Sequence, residues 1–160
     1  MSMVNYHLST GRTNPLPGNE KTTKFLGYAG LIPFLVFSMG HWMTLPWVND
    51  PSQILIAYAA VILSFMGAIH WGAAIINSDG HHSTHLIVSV LPALTAWSAL
   101  LLPASIAIVI LLCGFILLLV YELVFARPQG LPRLYISMRI ILTTVVSFCL
   151  MISLTAVIIK

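Results

Sequence analysis

The sequence predicts an all-α polytopic membrane bundle of five transmembrane helices, and three observations carry that prediction. Of 160 residues, 59% are hydrophobic and only 7% are charged, against about 25% charged in an ordinary soluble domain. Mean hydropathy is +0.98. The few charges are also spaced so that long uncharged stretches separate them. A water-facing surface cannot be built from this inventory, so the solvent for most of the chain is lipid. A soluble enzyme, a disordered tail, a disulfide-stapled module and a nucleic-acid binder are excluded. Cys113 and Cys149 both lie in apolar runs and read as inert buried thiols.

Residues 1–24 are polar and include Gly11, Pro15, Pro17 and Gly18, the composition of a flexible cytoplasmic lead-in. The first apolar run has no small-residue cleavage pattern ahead of it, and Arg12 is the one arginine in this stretch, so neither a signal nor a transit peptide is expected. Residues 25–160 read as one five-helix domain. No Asp, Glu, Lys or Arg occurs from Phe25 to Asn49, Pro51 to Ser78, Gly80 to Tyr121, or Ile140 to Ile159. About 20 apolar residues in a helix cross a ~30 Å hydrocarbon core. The first, second and last stretches each suit one crossing, and the third, the longest, suits two. Pro103 divides it, because a proline removes a backbone donor and ends or bends a helix. The predicted helices are therefore 25–45, 53–76, 86–102, 104–126 and 135–159. The turn at Pro103 makes the third and fourth an antiparallel hairpin. The third is short and holds Pro92, so a kink, local thinning or a re-entrant segment is the alternative there.

Five crossings place Arg12, Lys21, Lys24, Arg127, Arg133 and Arg139 on one side and Lys160 on the other. By the positive-inside rule the N-terminus is cytoplasmic and the C-terminus external. The expected location is a bacterial inner membrane, with a mitochondrial inner membrane as the second choice. Trp42, Trp47, Tyr28 and Tyr135 lie near span ends, where amphipathic rings favour the headgroup zone. Ala60, Ser64, Ala68 and Gly72 recur at spacing four on the second helix, a small-residue stripe for helix packing within the chain or against a second protomer. Tyr135, Arg139, Thr143, Ser147 and Thr155 form a comparable polar stripe on the fifth.

Ionisable residues inside a span are costly, so each needs a partner or a task. His70, Glu122 and Arg139 come to similar depth near the cytoplasmic ends of their helices, with Trp71 and Tyr135 beside them. The short loop with Pro128, Gly130 and Pro132 makes the fourth and fifth helices neighbours, so Glu122 and Arg139 can face each other and pair. The cluster has two readings. It either joins helices or lines a polar pocket for a small ligand such as a quinone or lipid headgroup. His81, His82 and His85 cluster with Asp79 as weak metal candidates, without a cysteine or any feature that fixes an outer shell. No metal or cofactor is predicted; haem on His70 with His85 or His41 is a remote alternative. GxSxG, HExxH, phosphate-loop and CxxC patterns are absent, so no enzyme is expected.

Four pieces occur together: Leu26-Gly27-Tyr28-Ala29-Gly30-Leu31-Ile32-Pro33-Phe34, Ile62 to Gly72 with its Ala68-Ile69-His70-Trp71-Gly72 end, Ser89-Val90-Leu91-Pro92-Ala93-Leu94, and Leu131-Pro132 followed by Tyr135, Arg139, Leu142 and Thr143. In this order and spacing, over most of residues 25–145, the chain resembles the transmembrane-protein-69-like family of small membrane proteins of unknown function. The resemblance implies five spans in an inner membrane, a basic residue often at the position of His70 and an acidic one at that of Glu122. It brings no activity. The expected role is an accessory, assembly or scaffold component, with the lipid bilayer and a larger complex or a second copy as partners. The alternative is a small-molecule binding or transport-like module.

Overall fold

The computed structural model describes residues 17–40, 42, 48–76, 82–126 and 133–159, and every element among them is helical. In chain order these are α1 (Pro17–Ala29), α2 (Ile32–Met39), α3 (Pro51–Ile76), α4 (His82–Leu100), α5 (Ala104–Tyr121) and α6 (Arg133–Ile159). One π-helical turn, Glu122–Ala126, continues α5. The stretch 1–24, expected as a flexible lead-in, includes the first two turns of α1. Helix already begins at Pro17, where a proline's missing N–H leaves no bond unmade. Residues 1–16 lie outside the described residues.

The first predicted crossing, 25–45, is not one continuous helix. It breaks at Gly30 and Leu31, and α2 ends at Met39. Pro33 is the cause. Its ring has no N–H for the carbonyl of Ala29 and would clash with it, so α1 stops there. The Tyr58 hydroxyl, from α3, donates to the Gly30 carbonyl at 3.0 Å and satisfies an acceptor that the break exposes. At the start of α3, Asp50 Oδ1 accepts the Ser52 N–H at 2.9 Å, an N-cap followed by Pro51. Helix α4 runs through Pro92 without ending, and Leu101, Leu102 and Pro103 turn the chain into α5.

The segments close into a ring. Helix α3 packs on α2, α4 and α5, and α6 packs on α5, α2 and α1. Phe34, Leu55, Leu63, Ile108, Leu111 and Leu150 fill the centre. Phe34 meets Tyr58 and Phe115 edge-on, with ring centroids 5.1 and 6.3 Å apart. Small residues set the α3–α4 seam: Ser89, Pro92, Ala96 and Ala99 of α4 are buried, and a Cβ on Gly67 of α3 would stand 2.6 Å from the Ser89 carbonyl oxygen.

The spacing-four stripe is not this seam. Ala60 is buried, but Ala68 is exposed and Gly72 has nothing within 4 Å. Each step of four residues overshoots a 3.6-residue turn by about 40°, so three steps carry the stripe out of the core. The buried line instead alternates threes and fours through Ala60, Leu63, Gly67 and His70. The polar stripe of α6 drifts in the same way. Arg139 and Thr143 are buried, Ser147 is half-buried, and Thr155 is exposed and bonds its own backbone at Ile152.

Apolar windows at Pro51–Gly72, Ala104–Val124 and Ile136–Ile159 are each long enough to cross a membrane. The segments Lys24–Met39 and Ser89–Leu100 are shorter. Outward-facing positions are large and apolar: Phe65, Leu117 and Phe148 are 60, 67 and 66% exposed. Such a surface belongs in lipid, not water.

Candidate functional site

The ionisable side chains buried in this apolar bundle lie on three helices near the same end of their spans. His70 ends the buried line of α3, Glu122 opens the π turn after α5, and Arg139 stands two turns into α6. They are 8, 3 and 5% exposed. Arg139 Nε donates to Glu122 Oε2 at 2.7 Å, and Nη2 donates to Oε1 at 2.9 Å. The two parallel bonds are the fork-to-fork pairing that suits guanidinium and carboxylate. His70 Nε2 lies 3.0 Å from Glu122 Oε1. An ionised carboxylate only accepts, so Nε2 carries the proton in this bond. The Tyr121 ring meets His70 edge-on at 5.6 Å. A lone charge in this setting is expensive, whereas a paired and hydrogen-bonded one cancels most of the cost.

Arg139 has a second side. Its Nη1 reaches Met66 Sδ at 2.7 Å, one turn before His70 on α3. On that side Arg139 forms part of the wall of a cavity of about 260 Å³ between α1, α2, α3, α5 and α6. The rest of the wall is apolar except for Thr143, one turn after Arg139 on α6. Thr143 is 3% exposed, and its Oγ1 has no hydrogen-bond partner among the described residues. Buried hydroxyls are nearly always satisfied, so an orphan at a cavity wall needs an explanation.

The structure thus brings together His70, Glu122 and Arg139 of the predicted cluster. Trp71 is not with them: one residue past His70 it has turned about 100° around the helix and is 52% exposed. The side chain of Tyr135 lies outside the described residues. So do His81 and the side chains of His82 and His85, the weak metal candidates. No group of three or more metal-ligating side chains occurs among the described residues. Sequence reasoning missed Met66 and Tyr121, and it named Thr143 only as a packing polar. The available signal was register, since Met66 and Thr143 lie four residues from His70 and Arg139 on the same helix faces.

Bundle and site together define an integral membrane protein with a buried ion pair and its histidine partner beside an intramembrane cavity. Residues 19–155 match the family described as "Protein of unknown function (DUF3429)", and the chain belongs to that family. It is 32% identical to Transmembrane protein 69 of Xenopus tropicalis over 94% of this chain and 58% of that protein. It is 30% identical to Transmembrane protein 69 of Mus musculus over 79% of this chain and 53% of that protein. The chain therefore spans just over half the length of these relatives. No solved structure matches it.

Proposed function

We propose that this protein is a non-enzymatic binding module that holds a small apolar molecule within the membrane. One observation carries the reading: a 260 Å³ cavity whose wall includes the buried residues Arg139 and Thr143, the latter with a hydroxyl that has no partner among the described residues. Binding is favoured over catalysis by where the reactive groups stand. Glu122 and His70, the natural general base or acid, are not part of the wall, and both Glu122 oxygens are engaged by Arg139. They hold the guanidinium in place for whatever fills the cavity. Native mass spectrometry of the full chain, extracted in mild detergent, should reveal a retained small molecule. The cavity-filling variant Val146→Phe should lose it; identical spectra for the two proteins would overturn the reading.

An accessory or scaffold role is the second reading, favoured by the outer face of α3. Ala68 is exposed, Gly72 has open space and Trp71 beside them is exposed, which suits the approach of a further helix. Cysteine cross-linking from Ala68→Cys in native membranes should then yield a discrete larger species, and a purely monomeric pattern counts against it. The charge asymmetry supports a cytoplasmic N-terminus, in a bacterial inner membrane as the first location and a mitochondrial inner membrane as the second. Fusion reporters at both ends test the orientation.

A further inference from the structure

We infer that the cavity selects an uncharged, lipid-soluble molecule whose head presents a carbonyl oxygen, as a quinone ring or an acyl ester does. This inference rests on the binding reading above and specifies its ligand. The size is suitable: about 260 Å³ exceeds the ~150 Å³ that admits a benzene ring. The entrance is suitable as well. Leu26 and Phe65 belong to the wall yet are 65 and 60% exposed, so the cavity opens between α1 and α3 toward hydrocarbon, not toward water.

Polarity then selects the head. A guanidinium carries five N–H donors and no acceptor. Two bond Glu122 and one bonds Met66, which leaves two without a partner among the described residues. Thr143, in the same wall, carries a further buried hydroxyl without a partner among the described residues. The Gly30 carbonyl in the same wall already accepts from Tyr58, so the groups there without a partner among the described residues are donors and the occupant must bring the acceptor. Charge narrows it further. Glu122 already balances Arg139, so an anionic head would carry an uncompensated charge into hydrocarbon. A neutral carbonyl meets both demands.

The test uses the full chain in nanodiscs of ether-linked phospholipid, which contain no ester carbonyl to compete. Four probes are titrated: decylubiquinone, methyl laurate, lauric acid at neutral pH, and dodecane. Decylubiquinone, methyl laurate or both should bind, and laurate and dodecane should bind at least about tenfold more weakly, the scale of one good hydrogen bond. Binding by the quinone alone identifies a quinone, and binding by the ester alone identifies a membrane lipid. Thr143→Val keeps the shape and removes the orphan hydroxyl. It should weaken the carbonyl probes about tenfold while the empty protein melts no lower than wild type. Val146→Phe should abolish binding of every probe. Carbonyl probes no tighter than dodecane, or laurate the tightest, overturn the inference and leave the binding reading standing. If wild type binds none of the four and behaves like Val146→Phe, the binding reading falls with it.

Discussion

Removing the carboxylate of the triad is the most informative single perturbation. In Glu122→Leu, Arg139 loses two bonds of 2.7 and 2.9 Å and His70 loses one of 3.0 Å, all at positions less than 10% exposed. Three neutral interhelical hydrogen bonds in a membrane protein are together worth about 2 kcal/mol, at about 0.6 each. An ionic pair differs because one charge is left stranded, and breaking a buried pair from one side costs about 3–5 kcal/mol. The expected loss is therefore at least about 3 kcal/mol, more than a hundredfold in the folding constant. Arg139→Met should cost less than Glu122→Leu, since the carboxylate it strands keeps its bond to His70. The double variant removes both charges and should return to within about 1 kcal/mol of wild type. Reversible unfolding of the full chain in mixed detergent micelles, followed by circular dichroism, measures all four proteins. A Glu122→Leu loss below about 1 kcal/mol, or single losses that simply add, would refute the buried-pair argument.

Five further variants test the bundle itself in the same assay. Gly67→Ala drives a methyl to 2.6 Å from the α4 backbone at Ser89, which cannot yield alone, and should cost about 1–3 kcal/mol. Gly72→Ala enters open space and should be neutral or stabilise by up to about 1 kcal/mol through helix propensity; equal losses for the pair would contradict the seam. Asp50→Ala removes the cap of α3 and should cost about 0.5–2 kcal/mol, with Asp50→Ser recovering most of it. Tyr58→Phe frees the Gly30 carbonyl at the α1–α2 break and should cost about 0.5–1.5 kcal/mol. No change on Tyr58→Phe would mean that water serves that carbonyl equally well.

Much of the architecture was legible before any contact was known. The predicted spans 53–76 and 104–126 differ little from Pro51–Ile76 and from α5 with its π turn. The common depth of His70, Glu122 and Arg139 followed from counting residues to the nearest loop. The break at Gly30 was only partly legible. Pro33 marked a soft point, but its hydrogen-bond consequence depended on Tyr58 arriving from α3. The small-residue stripe spirals on the helix, so it leaves the α3–α4 seam after Ala60 and turns Ala68 outward, the side from which a second protomer would approach.

What the sequence determined by itself is the solvent, where the long apolar segments lie, and which ionisable groups lie at depth. These properties accumulate along the chain, one residue at a time, and need no knowledge of neighbours. Tertiary structure alone decided which face of each helix turns inward: Gly67 instead of Ala68 at the seam, His70 inward with Trp71 outward, and Thr143 left facing a cavity beside Arg139. The reason is the solvent. In water an amphipathic pattern marks the buried face, but in lipid both faces are apolar, and only packing against the other helices separates inside from outside.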